Sequence, residues 1–286
     1  MYKNKIILGG AQIGSNYGIS NKKKLRAHEC FKLLSFCFKN NINTIDTSIN
    51  YPNSEKIIGE YIKKQKQQRW NIHTKISFKS KFQVEEQIKS MIKRLGKPPK
   101  VLYFHYFKDY LNKDKRRIVF TLCKRYKIKE IGVSFHRVYD LKYISKLKNI
   151  SIIQIPINIF DRRFIEKKTI SYCKKKNIKI YARSVFFQGM FFLKKYRFYD
   201  KKTKIILDKI KNILKNYKQI KLYELSFIWV NGLKYIDNVI VGVNNINQLK
   251  ENLNIRSTKE KKDVINKILK IKLNNDKFLS PYKWKI

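Results

Sequence analysis

The sequence predicts an α/β fold: a single (β/α)₈ TIM barrel with an extra helix and a C-terminal tail over one barrel end. The length of 286 residues suits one barrel of roughly 250 residues with extensions. Eight short runs rich in Ile, Val and Tyr alternate with lysine-studded segments of helical length, a pattern typical of parallel strands buried on both faces. The composition does not change along the chain, so we expect 1–286 to form one domain. A doubly wound sheet is the alternative.

The predicted strands are short apolar segments, most of them followed by polar residues. They lie at 5–9, 42–46, 71–76, 101–105, 129–133, 151–156, 178–182 and 237–241. Amphipathic segments between them predict helices at 28–40, 54–65, 82–95, 113–126, 138–147, 165–176, a pair across 202–232, and 246–254. The polar, lysine-rich residues 256–286 are expected to form a last helix and a tail over one barrel end.

The net charge of +46 raises the question of a nucleic-acid partner, because basic surfaces attract polyanions. The chain contains 54 lysines and 12 arginines, spread over its whole length with abundant Ile and Asn. Nucleic-acid interfaces favour Arg for bidentate contacts, and here Arg is scarce and scattered. The pattern resembles the codon bias of an A+T-rich genome. The sequence therefore predicts no specific nucleic-acid partner, and whether the charge has a function stays open.

Membrane insertion, secretion and metal binding are not indicated. No stretch approaches the roughly 20 apolar residues that a spanning helix needs, and the N-terminal apolar run is too short for a signal peptide. The four cysteines lie far apart without a C-x-x-C pair, so the sequence signals neither a zinc site nor a disulfide framework. We expect a cytoplasmic protein without a metal, and its oligomeric state is left open.

Three polar residues fall at the carboxyl ends of successive predicted strands. Asp46, Lys75 and His105 are separated by 29 and 30 residues, each interval being one βα unit. The carboxyl ends of barrel strands share one face, which is where barrel enzymes place their active sites. Tyr51 follows Asp46 on the next loop and is expected to join them. The spacing therefore predicts one catalytic site built from these four residues.

Their chemistry suits the reduction of a carbonyl group, which needs a proton donor at the oxygen. Tyr51 is the natural acid, and a nearby cation is expected to lower its pKa from about 10 toward neutrality. Lys75 would supply that charge and Asp46 would hold Lys75 in place. His105 would orient the carbonyl or share the proton of the tyrosine.

Two segments, Ile42–Tyr51 and Ser54–Gly59, resemble the signature G-I-N-x-x-D-T-A-x-x-Y-G-x-S-E-x-x-L-G of the aldo-keto reductase family. Similar segments run along the chain at His73–Lys75, Leu102–His105, Ile131–Ser134, Ile153–Asn158, Val239–Gly242 and Gln248–Asn252. The resemblance implies an NAD(P)H-dependent oxidoreductase that converts an aldehyde or ketone to an alcohol. Asp46, Tyr51, Lys75 and His105 match the family's catalytic tetrad.

The resemblance also implies an extended dinucleotide across the barrel mouth, without a G-x-G-x-x-G turn. Three residues would face its nicotinamide end, namely Ser134, Gln154 and Asn158. Five would bind its phosphates and adenosine, namely Ser184, Gly242, Gln248, Glu251 and Asn252. Hydroxyl and amide groups suit this task because they donate hydrogen bonds to carboxamide and phosphate oxygens.

Four positions depart from the family pattern. Phe135 replaces a common Asn. Arg183, which is also expected to bind the cofactor, stands where many members place an aromatic residue against the nicotinamide. Gln248 replaces the Arg that often selects the 2′-phosphate, although Lys250 could compensate, so NADPH is expected with NADH as the alternative. Pro52 replaces the Gly after the catalytic tyrosine and stiffens that loop.

Three functions stay open at this stage. The first is a reductase of a small carbonyl compound. The segments Gly9–Gly14 and Arg183–Gly189 resemble a bacterial subgroup associated with sugar and surface-polysaccharide metabolism, which would imply a sugar-derived substrate. The second is a cofactor-binding regulatory barrel without significant turnover. The third is a polyanion-binding protein, for which the high positive charge is the argument.

Overall fold

The computed structural model describes residues 5–19, 24–78, 81–193, 195 and 200–284. Its eight parallel strands are β1 (Ile6–Gly9), β2 (Thr44–Asp46), β3 (Asn71–Ile76), β4 (Val101–Phe104), β5 (Glu130–Ser134), β6 (Ile152–Pro156), β7 (Lys179–Arg183) and β8 (Asn238–Gly242). Each strand is hydrogen-bonded to the next, and β1 also pairs with β8, so that the sheet closes into a barrel. The predicted TIM barrel and all eight predicted strands are confirmed.

Helices surround the barrel in chain order. They are α1 (Ala27–Lys39), α2 (Ser54–Lys64), α3 (Lys81–Leu95), α4 (Phe107–Leu111), α5 (Lys113–Arg125), α6 (Lys167–Lys175), α7 (Lys201–Lys215), α8 (Leu222–Gly232), α9 (Ile246–Asn254), α10 (Lys259–Leu269) and α11 (Asp276–Leu279). The predicted helix at 138–147 is instead a 3₁₀ segment, Val138–Lys146. The sequence did not predict α4, because five residues are too few to show a helical period.

Among the described residues, two apolar clusters form the core. The larger one lies between the strands and the helices. The smaller one fills the barrel and consists of Ile7, Val101, Tyr103, Ile152, Tyr181 and Ile240. Side chains alternate between the two faces of a strand, and Val101 and Tyr103 on β4 point into the barrel. The next residue on this face is His105, which therefore lies at the barrel mouth. Residues 285 and 286 of the predicted tail lie outside the described residues.

Helix α2 packs against α3 at a glycine. Ile57, Ile58 and Tyr61 of α2 are buried, as the apolar face of an amphipathic helix should be. Gly59 lies beside them, and a Cβ atom built there would be 1.9 Å from the carbonyl oxygen of Arg94 in α3. The two helices therefore approach as closely as they do only because position 59 has no side chain.

We expect Gly59→Ala to lower the free energy of unfolding by about 1–3 kcal/mol, because the added methyl must push the α3 backbone away. Urea denaturation followed by circular dichroism measures the change. Gly232→Ala is the matched control, since a Cβ there meets nothing within 4 Å, and a gain of about 0.5–1 kcal/mol is expected. Equal effects of the two substitutions would contradict the close approach of the helices.

Candidate active site

A cavity of 370 Å³ opens at the carboxyl ends of the strands and is lined by all four residues of the predicted tetrad. Asp46 ends β2, Lys75 lies in β3, His105 follows β4, and Tyr51 lies on the loop between β2 and α2. Neighbouring barrel strands thus bring together residues that are up to 59 positions apart.

A buried ion pair joins Asp46 and Lys75. The ammonium group of Lys75 contacts Asp46 Oδ2 and also donates a hydrogen bond of 2.9 Å to the carbonyl oxygen of Thr47. Gln154 Nε2 donates to the other carboxylate oxygen of Asp46 at 2.6 Å. Burial lowers the pKa of Lys75, while the carboxylate of Asp46 opposes that effect. Both charges are therefore matched by partners that hold them in one geometry.

The loop that carries Tyr51 is anchored at the start of α2. Thr47 Oγ1 donates to Ser54 Oγ at 2.8 Å, and Ser54 Oγ donates to the carbonyl oxygen of Gly10 at 2.9 Å. The backbone N–H of Tyr51 donates to the carbonyl oxygen of Ser48 at 3.0 Å. Ser54 therefore ties the loop that carries Tyr51 to the residues that follow β1 and β2.

The pKa of Tyr51 departs from the sequence-based expectation. Lys75 was expected to lower it, but burial raises it, and the negative charge of Asp46 raises it further. The cation that lowers it is Arg183. Lys75 Nζ is 5.7 Å from the centre of the Tyr51 ring, yet its charge is matched by Asp46. The phenol therefore holds its proton at neutral pH, as a general acid must before the reaction.

His105 is neutral in this site. Burial lowers its pKa to about 3, and the positive charges of Lys75 and Arg183 act in the same direction. Asn50 Nδ2 and Ser48 Oγ lie 3.3 and 3.2 Å from His105 Nδ1. Because an amide nitrogen can only donate, Nδ1 accepts and the ring carries its proton on Nε2. His105 is thus a hydrogen-bond donor rather than a competing acid.

The structure brings six of the predicted cofactor residues to the same cavity: Ser134, Asn158, Arg183, Ser184, Gly242 and Gln248. Three others do not line it. Gln154 is buried behind the tetrad, bonded to Asp46. Glu251 is exposed and Asn252 is buried in α9. Lys250 lies over the ring of Phe36, with Nζ 5.6 Å from its centre, which is a contact with α1.

The cavity fits an extended polar cofactor. It runs without interruption from Tyr51 to Gln248, at the start of α9. Gln12 Oε1 and Asn244 Oδ1 are buried polar atoms without a hydrogen-bond partner among the described residues, and both residues line the cavity. A Cβ at Gly242 would lie 2.5 Å from Gln12 Oε1, so the Gln12 amide packs against the backbone there only because the residue is glycine. Buried polar atoms normally have a hydrogen-bond partner, and a bound dinucleotide would supply one for these two atoms.

Sequence reasoning missed several residues of the cavity, including Tyr17, Tyr106, His136 and Arg163. The ring of Tyr17 lies 6.0 Å from that of Tyr51, and the rings of His105 and His136 are stacked at 5.6 Å. His136 follows the end of β5 by two residues. The strand-end rule that found His105 would therefore also have found His136, had it been applied to every strand.

Phe135 and Arg183, two departures from the family pattern, are in contact. Arg183 Nη2 donates to the carbonyl oxygen of Phe135 at 2.8 Å. The Phe135 side chain is buried against Phe107, with ring centres 4.6 Å apart. Phe135 therefore supports the site through its backbone.

The sequence profile of the Aldo/keto reductase family matches residues 5–272. Because this match spans most of the chain, the protein belongs to the Aldo/keto reductase family. It is accordingly an NAD(P)H-dependent oxidoreductase, as the signature segments implied, and its family acts on small carbonyl compounds. No curated protein matches the chain.

Solved structures agree on the fold. An aldo-keto reductase from Bacillus halodurans, solved in its holo form, has a TM-score of 0.75 at 19% identity, over 95% of this chain and 94% of that one. A glycerol dehydrogenase from Gluconobacter oxydans has a TM-score of 0.69 at 18% identity, over 94% of this chain and 92% of that one. Within the described residues, none of the helices combines the length and the apolar character that crossing a membrane requires.

The barrel below the cavity contains a neutral histidine, and we expect it to make the fold sensitive to acid. Burial lowers the pKa of His73 to about 3. An unfolded histidine has a pKa of about 6.5, so the unfolded state gains a proton first as the pH falls between these values. At pH 5, His73 alone should therefore reduce the free energy of unfolding by about 2 kcal/mol relative to neutral pH.

Urea denaturation of the wild type and of His73→Phe at pH 7 and pH 5 measures the contribution of His73 to this loss of stability. The variant should lose about 2 kcal/mol less on acidification than the wild type. His28→Asn is the control, since His28 is exposed on α1, and it should keep the acid sensitivity of the wild type. If His73→Phe and wild type lost the same stability, His73 would not be the neutral buried group described above.

Proposed function

We propose that this protein reduces an aldehyde or ketone to an alcohol, with Tyr51 as the general acid. The observation that supports this most is that Tyr51 lines one cavity together with the Asp46–Lys75 pair and His105. The family membership supplies the reaction class. The roles of the individual residues are our proposal.

The four side chains divide the proton chemistry between them. His105 donates from Nε2 to the carbonyl oxygen and fixes its position within reach of Tyr51. The Tyr51 hydroxyl then transfers its proton to that oxygen and becomes a phenolate. Arg183 and Lys75 stabilise the phenolate, while Asp46 and Gln154 keep Lys75 in place. A reduced nicotinamide, held by Ser134 and Asn158, would supply the hydride for the carbonyl carbon.

We propose NADPH as the reduced cofactor, with NADH as the alternative. Ser134 and Asn158 would bind its nicotinamide end, and Ser184, Gly242 and Gln248 would bind its phosphates. The positive field of a protein with a net charge of +46 favours the additional phosphate of NADPH. Asn252 and Glu251 in α9 would act at the adenosine end. Titration of the protein with each nucleotide, followed by nucleotide fluorescence, gives the two dissociation constants.

We also propose the cytoplasm as the location of the protein. Its four cysteines, Cys30, Cys37, Cys123 and Cys173, are free and buried, which suits a reducing compartment. We propose no specific nucleic-acid partner. A steep salt dependence of nucleic-acid binding would contradict this and would favour the polyanion-binding function.

Tyr51→Phe should reduce kcat by at least about 100-fold, because it removes only the transferred proton. Lys75→Met should cause a similar loss, because the phenolate loses a stabilising cation. Both variants should bind NADPH with a dissociation constant within about threefold of the wild type. The loss of NADPH absorbance with a panel of aldehydes and keto-sugars measures turnover, and NADPH fluorescence measures binding.

Tyr139→Phe and Lys89→Met are the matched controls, because both residues are exposed and neither lines the cavity. Both should keep wild-type turnover. Loss of cofactor affinity equal to the loss of turnover in Tyr51→Phe would overturn its role as the acid. A protein that binds NADPH but reduces none of the carbonyl compounds would be a regulatory barrel.

A further inference from the structure

Among the described residues, five side chains that are charged at neutral pH line the cavity: Asp46, Lys75, Asp161, Arg163 and Arg183. Four of them form two ion pairs. Lys75 contacts Asp46, and Arg163 Nε lies 2.8 Å from Asp161 Oδ1. Within the described part of the chain, Arg183 forms no ion pair. The cavity therefore carries one positive charge that no acidic side chain there balances.

The hydrogen bonds of Arg183 all go to neutral acceptors. Nη2 donates to the carbonyl oxygen of Phe135 at 2.8 Å and lies 3.1 Å from His136 Nδ1, and Nη1 donates to Ser184 Oγ at 3.2 Å. His136 accepts as a neutral ring, because burial and Arg183 hold its pKa well below the usual value. A guanidinium has five N–H donors, so two remain, and one of these is on buried Nε, which has no partner in the described part of the chain.

The acids whose charge acts on Arg183 are already bonded to other cations. Asp46 contacts Lys75, and Asp161 is bonded to Arg163. Elsewhere in the fold, buried acids are likewise paired, as Glu55 is with Arg94. Leaving a partly buried guanidinium unpaired is costly, and burial already lowers the pKa of Arg183. An anion brought by a ligand would supply the missing charge.

The direction of the Arg183 side chain indicates which ligand would supply this anion. β7 lies between β6 and β8 in the barrel, and Arg183 reaches over β6 to residues that follow β5. It therefore points away from Gly242 on β8, where the cofactor phosphates are proposed. Its partner His136 is stacked on His105 at 5.6 Å, and its charge lowers the pKa of Tyr51. The anion would consequently lie beside the reacting carbonyl.

We propose that the substrate is an anionic carbonyl compound, a keto acid or an aldehyde acid, whose carboxylate is bound by Arg183. This inference rests on the proposed reductase function and names its substrate class. A guanidinium suits a carboxylate because its charge-assisted N–H···O bonds are strong, and the Nη1 donor of Arg183 that is not bonded to Ser184 would supply one. The net charge of +46 would also speed the arrival of such a substrate.

The test compares each carboxylate substrate with its uncharged amide of nearly the same shape: pyruvate with pyruvamide, and succinic semialdehyde with its amide. The full-length wild type should favour the carboxylate at least about tenfold in kcat/KM at low salt. Arg183→Gln should bring this ratio to about one, and Arg183→Lys should retain part of it because the charge remains. The NADPH dissociation constant of Arg183→Gln, measured by fluorescence, should change less than the ratio does.

Arg117→Gln is the matched control, because it removes the same charge from the exposed surface of α5 and should leave the ratio unchanged. A second experiment tests anion binding by Arg183 without turnover. Calorimetry measures the binding of benzoate and of benzamide to the protein with oxidised cofactor. Benzoate should bind the wild type more tightly than benzamide does. It should have no such advantage over benzamide in Arg183→Gln. A ratio near one in the wild type, or an equal loss of NADPH affinity in Arg183→Gln, would overturn the proposal. If no carbonyl compound were reduced while benzoate binding still depended on Arg183, only the reductase function would fail.

Discussion

The hydrogen bonds between β1 and β8 close the barrel, and the position of every residue at its mouth depends on that closure. Gly9 lies opposite both Asp46 on β2 and Gly242 on β8. Residues separated by nearly 200 positions therefore become neighbours across one strand. A parallel barrel directs all carboxyl ends to the same face, so one cavity collects polar side chains from every quarter of the chain.

Charge balance determines what this cavity does. The Asp46–Lys75 pair is stable in a buried position because Thr47 and Gln154 complete its hydrogen bonds. That same balance leaves Lys75 with little influence on the resting phenol of Tyr51. Arg183, which lacks a carboxylate partner among the described residues, acts on Tyr51 instead. The electrostatics of the site thus depend on which charges are already neutralised, and not only on which charges are near.

The sequence was sufficient to predict the barrel and the convergence of the tetrad, since both depend on period and spacing. Eight apolar runs locate the strands, and intervals of 29 and 30 residues place Asp46, Lys75 and His105 on successive strand ends. The pKa of Tyr51 could not be predicted, because burial and ion pairing depend on packing. The contact between Arg183 and His136 was equally hidden, because the two residues are 47 positions apart and no periodic pattern links them.

The tetrad occupies the arc of the barrel from β2 to β4, whereas β5 to β8 carry most of the proposed cofactor contacts. Because backbone hydrogen bonding fixes each strand in the closed ring, a loop on one arc can be lengthened or replaced without shifting the other arc. Gln154 on β6 and Arg183 on β7 are the exceptions, because they act on Asp46 and Tyr51 across the ring. During evolution, therefore, selection for a new cofactor preference need not disturb proton transfer as long as these two residues are kept, and the same condition applies to protein engineers who vary the two arcs separately.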